Sequence, residues 1–211
     1  MDQSIVDTSL DTNAAGYDGR RARRDRNADA VVDAVLSLFA EGAGYPTAQQ
    51  VADRSGVSLR SVFRYFDDLD ALVFAAIVRF RHRHDADFHF EPLPAAAPFE
   101  ARIDAWVRNR LGLYEATGTT IRTAIARSHR QPGLAELLEA ERRRTTTFLS
   151  LLFEPELDRM TADERIPALA AAHTVTLFEA WDNLSQRHGL ATDQIAPILR
   201  RQLWAALATQ D

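Results

Sequence analysis

Residues 47–66 (TAQQVADRSGVSLRSVFRYF) carry the start and stop signals of two short helices joined by a tight turn. Thr47 is suited to cap the first helix, with Gln50 in the capping-box position. Gly56 can adopt the left-handed conformation that the turn needs, and Ser58 is suited to cap the second helix. The apolar residues that fall on the inward faces are Val51, Ala52, Val62 and Phe66. The pattern predicts a helix-turn-helix unit.

Helical periodicity continues on both sides of this unit, and no alternating run of β-branched residues predicts a strand. Asp67 or Asp68 is suited to cap the helix that follows, whose apolar face contains Leu69, Leu72, Val73, Ala76, Ile77 and Phe80. The sequence therefore predicts an all-α fold. Its nine helices are expected at about 20–40, 47–56, 58–66, 68–88, 98–117, 119–129, 132–153, 162–188 and 191–208.

The order of these helices predicts a division of the 211-residue chain. Residues 1–19 are polar and without periodicity, which predicts a disordered leader. Residues 20–67 would form a head that contains the helix-turn-helix, and residues 68–211 would form a larger helical body. The helix at 68–88 is expected to join the head to the body.

Charge is distributed unevenly along the chain. The net charge is −5, yet residues 20–83 carry eleven arginines against eight acidic residues. A local positive segment in an acidic protein suits a surface that docks phosphate. Cysteine is absent, which excludes disulfides, and no apolar run approaches the roughly 20 residues of a membrane span. We therefore expect a cytoplasmic protein with no membrane partner.

The stretch TAQQVADRSGVSLRSVFRYFDDLDAL at 47–72 resembles the signature of the TetR (tetracycline repressor) family of transcriptional regulators. The nine expected helices and the PGL that opens a helix at 132–134 agree with that family. The matching positions are Thr47, Val51, Ala52, Gly56, Val57, Ser58, Phe63, Tyr65, Phe66, Ala71 and Leu72.

The resemblance implies a bacterial regulator with a three-helix DNA-binding head and a C-terminal domain for ligand binding and dimerisation. Such a protein would be a homodimeric repressor that a small-molecule effector releases from a palindromic operator in double-stranded DNA. An activator of the same fold is one alternative. A helical adaptor for proteins or ligands that does not bind DNA is another.

The second helix of the unit is the expected reader of base sequence. Arg60 and Arg64 lie one turn apart and have the geometry to contact guanine O6 and N7 in the major groove. Leu59 and Ser61 would be exposed beside them, around a buried Val62. The alternative to base reading is that each arginine is simply a solvated surface side chain.

Other side chains are expected to fix the register on the phosphate backbone rather than read bases. Hydroxyls are available at Thr47, Ser58, Ser61 and Tyr65, and the resemblance implies that Phe63 also lies against the backbone. Phe63 could alternatively belong to the core. An N-terminal arm reaching an adjacent groove is expected to carry Arg23, Arg24 and Arg26.

The body is expected to supply a dimer interface and a ligand pocket. The resemblance assigns dimerisation to the helices at 162–188 and 191–208, with Ala170, Val175, Leu177, Phe178, Trp181, Leu184, Ile195, Ile198, Leu199, Leu203, Trp204 and Leu207 as interface or core residues. Trp106, Arg110 and Tyr114 form one helical stripe, which is either a pocket lining or core. The remaining pocket candidates are Arg122, His129, His173 and Thr174.

Enzymatic chemistry is not expected from this sequence. It contains no phosphate-cradling glycine loop, nucleophile elbow or Ser/His/Asp constellation. The one metal-like cluster, RHRHDADFH at 81–89, places His82 and His84 two residues apart, on different faces of a helix. We therefore expect neither a catalytic residue, nor a metal site, nor a cofactor.

Overall fold

The computed structural model describes residues 11–42 and 44–208, without the side chains of 11–20 and Asp87. This part of the chain is helical and contains no strand, which confirms the all-α prediction. A π-helical turn at Asn183–Arg187 follows α10. The helices are α1 (Asp11–Ala40), α2 (Ala48–Ser55), α3 (Leu59–Tyr65), α4 (Leu69–Arg83), α5 (Asp85–Phe88), α6 (Phe99–Ser128), α7 (Pro132–Leu152), α8 (Glu154–Leu157), α9 (Ala162–Val175), α10 (Phe178–Asp182) and α11 (Thr192–Leu207).

The chain divides into two compact units, Met1–Phe80 and Arg81–Asp211, so that the division falls within α4. The sequence predicted a boundary between residues 67 and 68. Among the described helices, none combines the length and the apolar character that crossing a bilayer requires.

The helix-turn-helix has the predicted local structure. The Thr47 hydroxyl accepts a hydrogen bond from the Gln50 backbone N–H at 3.2 Å, and the Gln50 side chain accepts one from the Thr47 N–H at 2.8 Å. Gly56 follows α2 with a φ of +67°, in the left-handed region that favours glycine. The Ser58 hydroxyl accepts a hydrogen bond from the Ser61 N–H at 3.3 Å, which caps α3. These contacts hold α2 and α3 in a fixed geometry.

The first unit has its own apolar core. Residues of α1 pack against α2 and α3, and the buried apolar residues are Val31, Val32, Ala34, Val35, Leu38, Phe39, Val51, Ala52, Val62, Leu72, Val73, Ala76 and Ile77. Phe66, which was predicted to share the inward face with Val62, is only partly buried. The Asp68 carboxylate accepts a hydrogen bond from the Ala71 N–H at 2.7 Å, so Asp68 caps α4.

The first helix differs from its predicted extent. Its backbone is helical from Asp11, whereas residues 1–19 were predicted to be a disordered leader. Residues 1–10 of that leader lie outside the described residues.

Two further predictions of helix ends are wrong. Gly118 does not end a helix: α6 runs unbroken over 30 residues, and the glycine lies buried against the ring of Trp181. The helix predicted at 162–188 is interrupted after Val175, and the chain restarts as α10 at Phe178. The Thr176 carbonyl at this interruption accepts a hydrogen bond from the Tyr114 hydroxyl at 2.7 Å. That contact satisfies a backbone group that the helix end leaves open.

In the second unit α7 and α11 pack on α6, and α9 packs on α7 and α11. Trp106, Leu149, Phe153 and Leu203 are among its fully buried side chains. One buried ion pair crosses this core. Arg102 of α6 donates hydrogen bonds to both carboxylate oxygens of Glu156, at 2.7 Å and 2.5 Å.

Candidate nucleic-acid interface and ligand cavity

The third helix presents a mixed apolar and cationic face to solvent. Val62 is the inward residue, with only 1% of its surface exposed. Leu59 and Phe63, which are 38% and 48% exposed, lie one turn apart on the outside. Arg60 and Arg64 repeat the same spacing and are also exposed. Phe63 is therefore a surface residue, and the alternative that it belongs to the core is wrong.

Two arginines of the first unit are held by acids of the same unit. Arg54 donates hydrogen bonds to both carboxylate oxygens of Glu41, at 2.6 Å and 2.7 Å. Arg79 of α4 bridges Asp29 and Asp33 of α1, with a distance of 3.2 Å to the Asp33 carboxylate. These pairs tie the helices together, so the two guanidinium groups have structural partners.

The arginines singled out from the sequence behave differently. These arginines are Arg23, Arg24, Arg26, Arg60 and Arg64, and all of them are exposed. Among the described residues, none of them has an ion-pair partner within 4.0 Å. Their charges are therefore available to an anion from outside the protein. The fold thus gives the arginines of the positive segment two different environments: some are paired with acids of the same unit, and others face solvent without an ion-pair partner.

Some of these arginines gather between α1 and α3. Arg23 and Arg24 of α1 and Arg64 of α3 line a shallow surface depression, together with Asn27, Ser61 and Tyr65. Three guanidinium groups around neutral hydroxyl and amide groups form a chemically suitable cradle for a phosphate or another oxyanion.

The Tyr65 side chain connects two other members of this cradle. It accepts hydrogen bonds from the Asn27 amide at 3.3 Å and from the Arg64 guanidinium at 3.0 Å. The Arg64 guanidinium carbon also lies 5.0 Å from the centre of the Tyr65 ring. The Asn27 hydrogen bond, followed by the hydrogen bond and charge of Arg64, lowers the pKa of the Tyr65 phenol. The phenol is therefore held in a fixed, electropositive setting.

The predicted arm is helical. Arg23, Arg24 and Arg26 lie in α1, and Arg26 is not part of the cradle. Asn27 is a member of the cradle that was not predicted. It lies three and four residues after Arg24 and Arg23, which is the spacing of one helical face and could have suggested a shared surface.

The smaller hydroxyls already have partners. The Thr47 hydroxyl donates a hydrogen bond to the Gln50 side chain at 3.0 Å. The Ser58 hydroxyl donates one to the Ser61 hydroxyl, also at 3.0 Å. Contacts from these residues to phosphate remain a prediction, and they would require these local hydrogen bonds to be shared or exchanged.

A cavity lies inside the second unit. It contains about 540 Å³ of empty space, part of it open to solvent. Two of the predicted pocket residues, Arg110 and Tyr114, line it, and the walls come mainly from apolar residues of α6, α7 and α10. Its accessible volume, without the open solvent, is about 90 Å³, which is below the roughly 300–1,000 Å³ of sites that enclose a drug-sized ligand.

The other pocket candidates are placed elsewhere and do not line this cavity. Trp106 is fully buried and packs edge-on against Phe90, so for it the core alternative applies. Arg122 is paired with Asp182 at 2.6 Å, and His129 is exposed at the end of α6. His173 is partly buried beside the Thr146 hydroxyl, 3.4 Å from its Nδ1.

The helices predicted to form a dimer carry both core and surface residues. Six of the predicted interface residues are buried within the unit itself, namely Phe178, Trp181, Ile195, Leu199, Leu203 and Leu207. Trp204 of α11 is 53% exposed and Ala170 of α9 is exposed. Ile166 of α9, which was not predicted, is 74% exposed. Both helices therefore present apolar side chains to solvent.

In the part of the chain that the structure describes, no group of three or more histidine, aspartate or glutamate side chains is arranged to hold a metal ion.

No model of a known protein family matches the sequence, and no curated protein matches it. The chain does resemble a crystal structure of a transcriptional regulator from Rhodococcus sp. Rha1, with a TM-score of 0.62. The likeness covers 87% of this chain and 95% of that chain, at 20% sequence identity. What the two proteins share at this identity is the fold.

Proposed function

We propose that the protein is a DNA-binding transcriptional regulator of the TetR type, not an enzyme, and acts in the cytoplasm as a homodimeric repressor of a palindromic operator. The observation that carries the proposal is the capped helix α3, which exposes Arg60 and Arg64 without internal ion-pair partners. Arg64 also lines the cradle, together with Arg23, Arg24 and Tyr65. The likeness to a regulator of similar fold agrees with it.

The two cationic groups would have different tasks. Helix α3 would enter the major groove, where Arg60 and Arg64 read base edges, each good bidentate contact contributing about 1–3 kcal/mol of discrimination. Leu59 and Phe63 on the same face suit apolar contacts with thymine methyl groups or deoxyribose. Arg23, Arg24 and Tyr65 of the cradle would hold a backbone phosphate and so fix the register of α3 without reading sequence, while Arg64, which also lines the cradle, reaches the base edge.

A dimer would present two copies of α3. Palindromic recognition needs them about 34–36 Å apart, or a multiple of that distance, to enter successive major grooves on one face. We assign the dimer contact to the exposed apolar residues of α9 and α11, such as Ile166 and Trp204. Trp204→Glu should shift the particle towards a monomer in analytical ultracentrifugation and weaken operator binding in parallel.

Release would follow from an effector in the cavity of the second unit. An effector can shift the protein between two conformations only by binding one of them more tightly, and about 1–3 kcal/mol of coupling is typical. The helix α4 belongs to both units along the chain, which makes it the expected lever.

The test is selection of fragments of the source genome by the full chain, followed by gel-shift titration of the selected site at several salt concentrations. Arg60→Ala and Arg64→Ala should lose discrimination between the selected site and base-substituted sites. Arg24→Ala should weaken binding to all sequences alike and lower the salt slope by about 0.9 for each phosphate that is no longer neutralised.

Arg54→Ala is the matched control, because Arg54 is in the same unit but already pairs with Glu41. It should leave the salt slope unchanged. Absence of binding to any fragment at low salt would reject the proposal and favour the adaptor alternative. Increased transcription from the bound promoter would instead identify an activator.

A further inference from the structure

The buried arginine in the cavity of the second unit lacks the partners that such a group ordinarily has. Arg110 is only 7% exposed, and its Nε atom is buried without a hydrogen-bond partner. No carboxylate lies within 4.0 Å of its guanidinium among the described residues. Its compensation comes from two aromatic residues: the guanidinium carbon lies 5.3 Å from the Trp106 ring and 5.1 Å from the Tyr114 ring, and the guanidinium also interacts with the Tyr114 hydroxyl.

The acids that also line the cavity are engaged by other arginines. Glu141 accepts a hydrogen bond from Arg81 at 2.7 Å, and Glu179 accepts one from Arg142 at 3.3 Å. An arginine buried without a counter-ion is costly, and it is rare unless a ligand or partner neutralises it. Arg102 in the same unit shows the contrast, because both of its Nη groups are bonded to Glu156.

The walls around Arg110 favour a molecule with an apolar body. Leu113, Ile121, Ile125, Leu138 and Phe178 line the cavity, which is open to solvent, so that an apolar body can lie partly within it. A second guanidinium, that of Arg142, also lines the cavity, but it is paired with Glu139 and Glu179. The planar guanidinium of Arg110 therefore matches one carboxylate in a bidentate geometry, whereas a phosphate dianion would need more donors to offset its desolvation.

We propose that the effector of this protein is a monocarboxylic acid with an apolar body, whose carboxylate pairs with Arg110 in the cavity. The inference rests on the proposed function for its biological meaning, because the bound acid is an effector only if the protein is a regulator. The binding event itself depends on the second unit alone.

The test is isothermal titration calorimetry of the full chain, without DNA, against 3-phenylpropionate, 4-phenylbutyrate and octanoate and the neutral amide of each. At least one acid should bind, and its amide should bind about ten-fold or more weakly, because the buried guanidinium would lose a charged partner. The proposal fails if no acid binds, if the amide binds as tightly as its acid, or if phenyl phosphate binds more tightly than every carboxylate.

Arg110→Met should abolish the preference for the acid over the amide. The matched control is Arg122→Met, on the same helix but paired with Asp182 outside the cavity, which should keep the preference. Without ligand, Arg110→Met should unfold at the same temperature as the wild type or higher, because it removes an unpaired buried charge. A marked fall in that temperature would reveal a structural role for Arg110 and count against the proposal.

The two proposals can fail separately. Selection of genomic fragments needs no acid, and calorimetry needs no DNA. A chain that binds fragments but none of the acids refutes only the ligand class. A chain that binds an acid but no fragment refutes the regulator and leaves the acid site in place.

Discussion

Gly118 lies directly against the indole of Trp181: a Cβ built on the glycine would be 3.1 Å from two ring carbons. The glycine is therefore present for a close approach between α6 and α10 rather than for a turn. We expect Gly118→Val to destabilise the protein by about 1–3 kcal/mol, because added methyl groups overpack a filled site. Urea unfolding, monitored by circular dichroism, measures this change in the free energy of unfolding.

Gly112 is the matched control on the same helix. It is exposed, and a Cβ built there would meet no atom within 4 Å. Gly112→Ala should therefore stabilise the protein by up to about 1 kcal/mol through helix propensity alone. Equal destabilisation by both substitutions would show that the contact with Trp181 is not what matters.

The buried pair of Arg102 and Glu156 gives a second stability prediction. Glu156→Ala leaves the Arg102 guanidinium with only the carbonyls of Leu152 and Ala97 as acceptors. We expect a loss of about 3–5 kcal/mol in the free energy of unfolding. The double variant Arg102→Met/Glu156→Leu should recover most of it, because no uncompensated charge remains. A double variant as unstable as Glu156→Ala would contradict this account.

The exposure of Phe63 predicts a separation of stability from binding. Phe63→Ala should change the free energy of unfolding by less than about 0.5 kcal/mol, since 48% of the side chain is already in solvent. Its affinity for a selected DNA site should nevertheless fall several-fold in gel shifts. Leu151→Ala, at a position that is 55% exposed in the other unit, should change neither quantity. Unaltered affinity in Phe63→Ala would remove this side chain from the proposed interface.

His173 predicts how stability changes in mild acid. Burial lowers the pKa of His173, and the charges of Arg142 and Arg110 lower it further, against the opposing pull of Glu179 and Glu139. In the unfolded chain His173 has the ordinary histidine pKa of about 6.5. As the pH falls below that value, the unfolded chain therefore binds a proton at His173 more readily than the native protein does. This contribution to stability is fully present above that pH and is lost as the pH falls through the native pKa.

Urea unfolding at pH 7.5 and pH 5.5 tests this sign. His173→Gln should lose less stability between the two pH values than the wild type does. His129→Gln, which alters an exposed histidine, should behave like the wild type. A steeper loss in His173→Gln would mean that the protonated ring is stabilised in the native protein, contrary to its surroundings.

Local signals made the helix-turn-helix predictable. The contacts of Thr47, Gly56 and Ser58 are between residues close in sequence, and capping chemistry depends on little else. Local signals were misleading at Gly118, because the glycine is required by its close contact with Trp181, which is far away in the sequence. They were misleading again after Val175, where the helix end is satisfied by the hydroxyl of Tyr114.

The candidate sites divide in the same way. The exposed arginines of α3 follow from its short amphipathic pattern, but the cradle needs α1 to be packed beside α3, which no local spacing reveals. In the second unit the stripe of Trp106, Arg110 and Tyr114 was visible in the sequence. Which of its members reach the cavity depends on how the neighbouring helices close around it.

The hydrogen bonds at Tyr65 have one more consequence. Its oxygen accepts from both Asn27 and Arg64, which occupies its two lone pairs and leaves the phenolic hydrogen to be donated outwards. Among the described residues that hydrogen has no acceptor. Tyr65 would thus donate a hydrogen bond to a phosphate oxygen, and the direction of its hydroxyl proton would be set already in the protein without DNA.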